Sequence, residues 1–224
     1  MAMFRKWREK MKTLKHPYLS VKNKTGTAYG GSQSWFSYGF LKKNGCGVIS
    51  AADVLLHLQG KEAVSETEYM EFAKKLWMQY LPVIPGFGMN GLTLVLGLNR
   101  YFWKHGMSYR AGWNIGSKNL LPKIDGMLAK DLPVILSVGP NFPKFWGKQT
   151  VRLYTKTAQG NYLPASKVKA HFMIITGRDG MWLQISSWGK EYYMDFAEYQ
   201  EYANGYSSFL VTNIICIKEL KKIK

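Results

Sequence analysis

A cysteine held between two glycines at the start of a long apolar run constrains this chain more than any other feature. The run from Cys46 to Leu58 is long enough for about four helical turns. Its apolar side chains would cover most of the circumference, which predicts a helix buried nearly all round. Cys46 would then lie in the first turn, where unpaired backbone N–H groups and the helix dipole favour a thiolate. A reactive thiol and a small cysteine that only packs in the core are both consistent with this stretch alone.

The length and composition fit one folded domain. A chain of 224 residues with 46% hydrophobic residues can bury a core without metal or disulfide staples. Its two cysteines are too few for a structural zinc site or a disulfide framework, although a single bridge between them stays open. Cys216 lies in the apolar run 209–217, which is typical of a core strand, so we interpret it as structural. We therefore expect no metal and no other cofactor.

The formal net charge of +17 is concentrated at the two ends of the chain. Basic segments of this kind attract nucleic acid, anionic lipid or acidic polymers without specificity. More often they are solvated ends that keep a protein soluble, and this is the interpretation we favour. The basic residues concerned are Arg5, Lys6, Arg8, Lys10, Lys12, Lys15, Lys22 and Lys24 at the start, and Lys218, Lys221, Lys222 and Lys224 at the end.

Neither a membrane span nor an export signal is visible in the sequence. No stretch reaches the roughly 18 to 20 apolar residues that a membrane-spanning helix needs. The basic start is not followed by the apolar segment of a secretory signal. We therefore expect a cytoplasmic protein with reduced thiols, unless a leader has been removed from the chain.

The first half of the chain is predicted to be mainly helical. Residues 1–24 form a basic extension in which four apolar residues, Phe4, Trp7, Met11 and Leu14, recur at the spacing of a short amphipathic helix. A capping box from Ser65 to Glu68 opens a well-defined helix. The other predicted elements are a loop over 25–34, the cysteine helix ending near Gly60, a helix over 92–103, and a helix over 117–130 interrupted by Pro122.

The second half of the chain is predicted to form a sheet. Short runs rich in β-branched and aromatic residues favour strands, and one more helix is predicted over 195–202. Helices followed by strands indicate an α+β fold, with residues 25–224 as a single domain. The predicted strands are 133–138, 151–155, 171–176, 182–186 and 209–217.

A nucleophilic thiol at neutral pH needs a base or a cationic neighbour, and the chain has four histidines. His57 shares a helical face with Cys46, but eleven residues at the helical rise place it roughly 16 Å away. His16 lies beside a proline in the basic extension, and His105 is expected to cap a helix end. His171 opens an apolar strand, which would place it at a sheet edge facing a cleft, so it is the candidate base.

At this point the sequence resembles a known family. Asn44-Gly45-Cys46-Gly47, then His171, then Ser186-Ser187-Trp188-Gly189 follow the order of motifs in papain-like cysteine peptidases. The helix directly after Cys46-Gly47 is similar to the bacterial branch that includes the double-glycine leader peptidases. Gly88-Met89-Asn90-Gly91-Leu92 with Leu98-Asn99-Arg100-Tyr101 is also similar to bacterial members of that branch. The resemblance covers about residues 35 to 215.

The resemblance implies a papain-like fold, with the buried cysteine helix packed on a mainly antiparallel sheet. It implies Cys46 as nucleophile and His171 as general base and then general acid. Papain-like enzymes have Asn or Asp as the third catalytic residue, whereas the matching position, two before Trp188, is Ser186. Asp195 is the alternative partner for His171.

The oxyanion position also departs from the family, which has Gln several residues before the cysteine. The residue six before Cys46 is Phe40. The Cys46 N–H is expected to donate one hydrogen bond to the oxyanion, with Asn44 or Gln33 as candidates for the second donor. Trp188 is expected to shelter the contact with His171 from water, and Asn141 is a candidate for the wall of the cleft.

Two functions remain open at this level. The first is a cysteine hydrolase, most simply a peptidase, that acts on a peptide or another amide or acyl substrate through a thioester intermediate. The second is a catalytically weakened papain-like fold that acts as a basic binding module for a polyanion or a protein partner. No Walker loop, RNP-type motif or zinc-knuckle spacing indicates a specific nucleic-acid reader.

Overall fold

The computed structural model describes residues 11–220, and its first half contains most of the helices. The elements in chain order are β1 (Lys12–Thr13), β2 (Ser20–Asn23), β3 (Gly26–Tyr29), a short 3-10 helix (Gln33–Trp35), α1 (Gly39–Asn44), α2 (Cys46–Leu58), β4 (Ala63–Ser65), α3 (Glu66–Gln79) and α4 (Gly91–Lys104).

The second half is dominated by strands. It contains β5 (Tyr109–Trp113), α5 (Leu120–Leu128), β6 (Val134–Val138), β7 (Val151–Lys156), β8 (Tyr162–Val168), β9 (His171–Asp179), β10 (Trp182–Ser187), β11 (Lys190–Asp195), α6 (Phe196–Gly205) and β12 (Asn213–Glu219). The fold class is therefore α+β, as the sequence predicts.

Nine strands form one antiparallel sheet, in the order β5-β12-β6-β9-β10-β11-β7-β8, with β1 paired to β9. Strand β9 is the centre of this sheet, and all but its last residue are buried. A separate three-stranded sheet has the order β3-β2-β4, with β2 and β4 parallel.

Helix α2 packs directly against β9 and is covered on other sides by α3 and α4. Its residues from Gly47 to His57 are all buried, as the nearly continuous apolar sequence predicts. The helix and the central strand therefore form the middle of the hydrophobic core. No helix within residues 11–220 has the length and apolarity needed to cross a membrane.

The predicted capping box is confirmed, because Ser65 and Glu68 form reciprocal hydrogen bonds at the start of α3. The Asn90 side chain caps α4 by accepting a hydrogen bond from the Thr93 N–H. Helix α5 is shorter than predicted because Asn119 adopts a left-handed φ of 60°, so the helix begins at Leu120. Pro122 then lies in the first helical turn, where its missing N–H has no helical partner to lose.

The amphipathic helix predicted at the start of the chain is wrong where it can be compared. Residues 1–10 lie outside the described part, but Lys12–Thr13 form a strand that pairs with Gly177 and Arg178 of β9. Leu14, Leu19 and Val21 are buried, so residues 11–24 pack as part of the domain. The predicted loop over 25–34 also contains β3, and the sequence predicts no strand at β2, β4, β5, β8 or β11. Strands β1 and β5 form by pairing with the distant β9 and β12, whereas β3, β8 and β11 form hairpins with β2, β7 and β10. In both cases strand pairing overrides weak local propensity.

Because α2 lies in the middle of the core, truncating one of its buried side chains should destabilise the protein. We expect Leu55→Ala to lower the free energy of unfolding by about 2 to 5 kcal/mol, because Leu55 is completely buried and the truncation leaves a cavity. The matched control is Leu96→Ala on the exposed side of α4, where Leu96 is 70% exposed and the change should stay within about 0.5 kcal/mol. Urea unfolding measures both, and equal losses would contradict the central place assigned to α2.

Candidate functional site

The thiol is positioned by a sharp junction between two helices. Helix α1 ends at Asn44, Gly45 joins the helices, and Cys46 is the first residue of α2. A Cβ on Gly45 would lie 2.5 Å from the Leu41 carbonyl oxygen and 2.9 Å from the Phe36 ring, so the junction requires glycine. Cys46 therefore projects from the N-terminal end of α2, as the sequence predicts.

The imidazole is brought to the same place by the central sheet. His171 is the first residue of β9 and pairs with Val138, the last residue of β6. Because α2 packs on β9, Cys46 and His171 line one small pocket. The other residues that line the pocket are Gly31, Gln33, Ile49, Ser50, Asp53, Phe172, Ile174, Ser186, Ser187 and Trp188.

The partner of His171 is Ser187, and the prediction that Ser186 makes this contact is wrong. The Nε2 atom of His171 lies 2.9 Å from the Ser187 Oγ atom. Ser186 instead donates its hydroxyl hydrogen to the Tyr29 carbonyl oxygen, at 2.9 Å. Successive side chains of a strand point to opposite faces, so a position chosen by counting back from Trp188 can select the wrong serine. The alternative, Asp195, caps α6 by accepting a hydrogen bond from the Ala197 N–H at 2.8 Å.

Trp188 covers the imidazole. Its ring stacks on that of His171 with centroids 4.7 Å apart and an angle of 24° between the planes. Trp188 and Gly189 form the two-residue connection between β10 and β11, with φ values of 51° and 73°. Two positive φ values are typical of a type I′ hairpin turn, and they are unfavourable for a bulky residue such as tryptophan. The turn therefore holds the Trp188 ring against the His171 imidazole through a strained backbone conformation.

The thiol and imidazole are both neutral in this environment. Burial raises the pKa of the Cys46 thiol, although backbone N–H groups of Phe172, Gly47 and Cys46 act in the opposite direction. Burial also lowers the pKa of His171 to about 4, because the charged imidazolium loses its hydration. At neutral pH the resting pair is consequently a thiol beside an uncharged imidazole.

The side-chain amides of the two candidate oxyanion donors already donate hydrogen bonds to carbonyl oxygens of α1. The Gln33 amide donates to the carbonyl oxygens of Lys42 and Lys43, at 2.9 and 3.2 Å. The Asn44 amide donates to the Phe40 carbonyl oxygen at 3.0 Å. Gln33 lines the pocket, but its N–H groups are directed to the end of α1. The backbone N–H groups that act on the Cys46 thiol are those of Phe172 on β9 and of Gly47 and Cys46 in the first turn of α2.

Asn141 is a structural residue of the neighbouring loop. Its side chain is 2% exposed and donates hydrogen bonds to the Gln149 carbonyl oxygen and the Tyr202 hydroxyl, both at 3.2 Å. These contacts tie the segment after β6 to α6. Asn141 does not line the pocket that contains Cys46 and His171.

The other three histidines serve elsewhere in the fold. The His105 Nδ1 atom lies 2.9 Å from the Tyr101 carbonyl oxygen at the end of α4, which confirms its predicted capping place. The His16 Nδ1 atom lies 2.5 Å from an Asp131 carboxylate oxygen, and the His57 Nε2 atom lies 3.2 Å from the Asp131 carbonyl oxygen. Within residues 11–220, no group of three or more His, Cys, Asp and Glu side chains is arranged to hold a metal ion.

A buried carboxyl group behind the pocket is the feature that sequence reasoning missed. Asp53, two turns after Cys46 on α2, accepts hydrogen bonds from the Tyr18 hydroxyl at 2.7 Å, the Tyr69 hydroxyl at 2.6 Å and the Gly31 N–H at 3.0 Å. A Cβ on Gly30 would lie 2.4 Å from the Ser186 Oγ atom, so this glycine segment is held closely between α2 and β10. An aspartate within an apolar helix was the available signal, because a buried carboxyl needs partners.

The Asp53 carboxyl predicts a specific dependence of stability on pH. Burial raises its pKa from 3.8 to about 6, despite the three hydrogen bonds. The folded state therefore holds the proton more tightly than the unfolded state, and stability is lost as the pH rises from about 4 to about 6. This contribution is on the order of 3 kcal/mol for two pKa units.

We expect Asp53→Asn to remove this contribution, because the amide does not ionise. Denaturant unfolding at several pH values between 4 and 7 measures it as the difference between the two proteins. The difference isolates Asp53 from other carboxyl groups, whose effects are common to both. If the two proteins lose stability in parallel over this range, the buried carboxyl does not titrate as its environment indicates.

Comparison of the chain with models of protein families, with curated proteins and with solved structures finds no match. Any function for this chain therefore has to be inferred from its own residues and their geometry.

Proposed function

We propose that this protein is a cysteine hydrolase, most simply a peptidase, with a papain-like arrangement of Cys46 and His171. The observation that carries the proposal is the shared pocket of a helix-terminal thiol and an imidazole that has a hydroxyl partner and an aromatic cover. A nucleophile, a general base and an orienting group at one site are the parts that covalent acyl transfer requires; here Cys46 and His171 line one pocket, and Ser187 contacts His171. A cysteine helix packed on an antiparallel sheet also supports the papain-like resemblance of the sequence motifs.

Ser187 takes the orienting position in this proposal. Only one nitrogen of a neutral imidazole carries hydrogen, and the other accepts a proton. When His171 Nε2 donates to Ser187 Oγ, the lone pair is on Nδ1, which is then the atom that takes the thiol proton. The hydroxyl stabilises an imidazolium less than the Asn or Asp found in papain-like enzymes, since it carries no charge and a smaller dipole.

The proposed reaction starts from a neutral Cys46 thiol and a neutral His171 imidazole. As the Cys46 sulfur attacks a substrate carbonyl carbon, His171 Nδ1 accepts the thiol proton and the carbonyl electron pair moves to oxygen. The intermediate collapses when the C–N bond breaks and His171 returns that proton to the leaving amine, which leaves a thioester. Water then attacks the thioester carbonyl carbon and His171 takes the water proton. The C–S bond breaks to release the acid, and His171 returns that proton to the Cys46 sulfur, which restores the thiol.

The oxyanion is assigned to backbone donors in this proposal. The N–H groups of Cys46 and Gly47 lie beside the sulfur and have no acceptor four residues earlier in α2. Such donors are fixed by the helix and need no reorganisation during the reaction. Gln33 and Asn44 remain supports of α1, because their amides already have carbonyl acceptors.

The first test compares the two cysteines. We expect Cys46→Ala to lower hydrolysis of a panel of fluorogenic peptide amides by at least about a thousandfold, since the acyl-enzyme can no longer form. Cys216→Ala is the matched control and should retain activity, because Cys216 lies on β12 and does not line the pocket. Acid quenching followed by intact-mass measurement should detect the thioester in the Cys216→Ala protein and not in Cys46→Ala.

One outcome with the same panel of substrates would contradict the proposal. Absence of turnover and of any acyl adduct in the unmodified protein, across peptide amides and simple thioesters, would favour a papain-like binding module instead. The neutral Cys46 and His171 pair and the serine partner are the observations that give this second function its support.

The second test separates the two serines. We expect Ser187→Ala to lower kcat by about 10- to 100-fold, because His171 loses the partner that fixes its ring and tautomer. Ser187→Thr keeps the hydroxyl and should restore most of the rate. Ser186→Ala removes the bond to the Tyr29 carbonyl oxygen but leaves the Ser187 partner of His171, so kcat should stay within a few-fold of the original value. A larger loss in Ser186→Ala than in Ser187→Ala would return the orienting role to Ser186.

A further inference from the structure

Four loops lie at the end of the molecule that carries Cys46 and His171. Strand β6 ends where β9 begins, with Val138 paired to His171, and the start of β12 pairs with the same end of β6. Ile215 of β12 pairs with Trp113, so β5 also ends here. We call the connecting segments 84–91, 114–119, 139–150 and 206–212 the site-end loops.

The first of these loops adjoins the cysteine directly. A Cβ on Gly47 would lie 3.3 Å from the Met89 sulfur, and a Cβ on Gly88 would lie 3.7 Å from the Asn44 carbonyl oxygen. Gly91 packs against the Trp113 ring. Segment 84–91 therefore extends between the start of α2 and the end of β5.

Each site-end loop exposes a large apolar side chain. Phe87 is 90% exposed, Ile115 89%, Trp146 81% and Leu210 72%. Each belongs to a different loop, so the apolar groups are distributed around the end of the sheet. Four large apolar side chains, each more than two thirds exposed on loops that adjoin one pocket, are consistent with an interaction site.

The same loops carry no negative charge. None of the 14 Asp and Glu residues of the chain lies in any of the four segments. Lys118, Lys144 and Lys148 are exposed within them, and Lys42, Lys43 and Lys169 are exposed on adjoining segments. A partner of this surface has to accept apolar side chains and carry negative charge around them.

The loops are fixed to one another by hydrogen bonds. The Phe142 N–H donates to the Tyr206 carbonyl oxygen at 3.1 Å, and the Ser207 hydroxyl donates to the Pro140 carbonyl oxygen at 2.9 Å. The Asn114 amide donates to the Asn213 side-chain oxygen at 3.0 Å, and Lys169 donates to the Gly147 carbonyl oxygen at 2.8 Å. Segments 114–119, 139–150 and 206–212 are thus tied to one another or to the start of β12, and they present Ile115, Trp146 and Leu210.

We propose that the site-end loops dock on an anionic lipid bilayer. Tryptophan and phenylalanine at loop tips enter the boundary between headgroups and acyl chains, while neighbouring lysines contact acidic headgroups. Single-stranded nucleic acid also attracts lysine and aromatic side chains, but it needs flat rings for stacking. Ile115 and Leu210 offer no such ring and favour the bilayer. The docking depends on the loops alone and does not depend on Cys46 chemistry.

Vesicle co-sedimentation of the full chain tests this proposal. We expect binding to phosphatidylglycerol vesicles, with little binding to phosphatidylcholine vesicles, and a decrease as salt is raised. Trp146→Ser should weaken binding about tenfold, since a large aromatic side chain no longer enters the lipid. Ile115→Ser changes a separate loop and should also weaken vesicle binding. The same effect in two variants would show that weaker binding is not caused by a folding defect in one of them.

Trp103→Ser is the matched control. Trp103 is 83% exposed, but it lies at the far end of α4, which begins beside Trp113 and ends beside Tyr109 at the other end of β5. Trp103→Ser and Trp146→Ser have the same net charge and the same basic ends. Comparing them therefore distinguishes binding through the loops from non-specific attraction between lysines and anionic lipid. Equal binding by all three variants would overturn the proposal. Loss of single-stranded DNA binding in Trp146→Ser, without any vesicle binding by the original protein, would assign the surface to nucleic acid.

Discussion

The contact between helix α2 and strand β9 is the constraint on which the rest of this structure depends. Both elements are buried along nearly their whole length, so burial of apolar surface holds them together. The contact aligns the first residue of the helix with the first residue of the strand, which are Cys46 and His171. The candidate site is consequently a product of core packing, and its geometry is as rigid as the core itself.

The same burial determines the electrostatics of the site. A thiol and an imidazole that are removed from water resist ionisation, so the pKa of Cys46 is raised and that of His171 is lowered to about 4. Asp53, deeper on α2, has a pKa raised to about 6 for the same reason. Its carboxyl group accepts hydrogen bonds from two tyrosine hydroxyls and one backbone N–H. In the proposed hydrolysis the thiolate would therefore form during attack, with His171 as the proposed acceptor of the proton.

The two ends of the large sheet differ in chemistry. The end with Cys46 and His171 has loops without acidic residues and with exposed apolar side chains. Several ion-paired acidic side chains lie elsewhere, for example Asp125 with Lys12 and Arg178, and Asp131 with His16. This division places the candidate pocket beside the surface best suited to an apolar, negatively charged partner. The proposed lipid docking and the proposed hydrolysis would then take place at one end of the molecule.

The sequence by itself determined the features that depend on neighbouring residues: the buried helix α2 with Cys46 at its start, the capping box of α3, and the apolar strand opened by His171. These depend on local hydrogen bonds and on the period of apolar residues. Only the tertiary structure decided that Ser187 rather than Ser186 faces His171, that residues 12–13 are a strand, and that Asp53 has two tyrosines as partners. Each of these outcomes depends on which face of a strand or helix meets a distant segment, and local sequence does not specify that register.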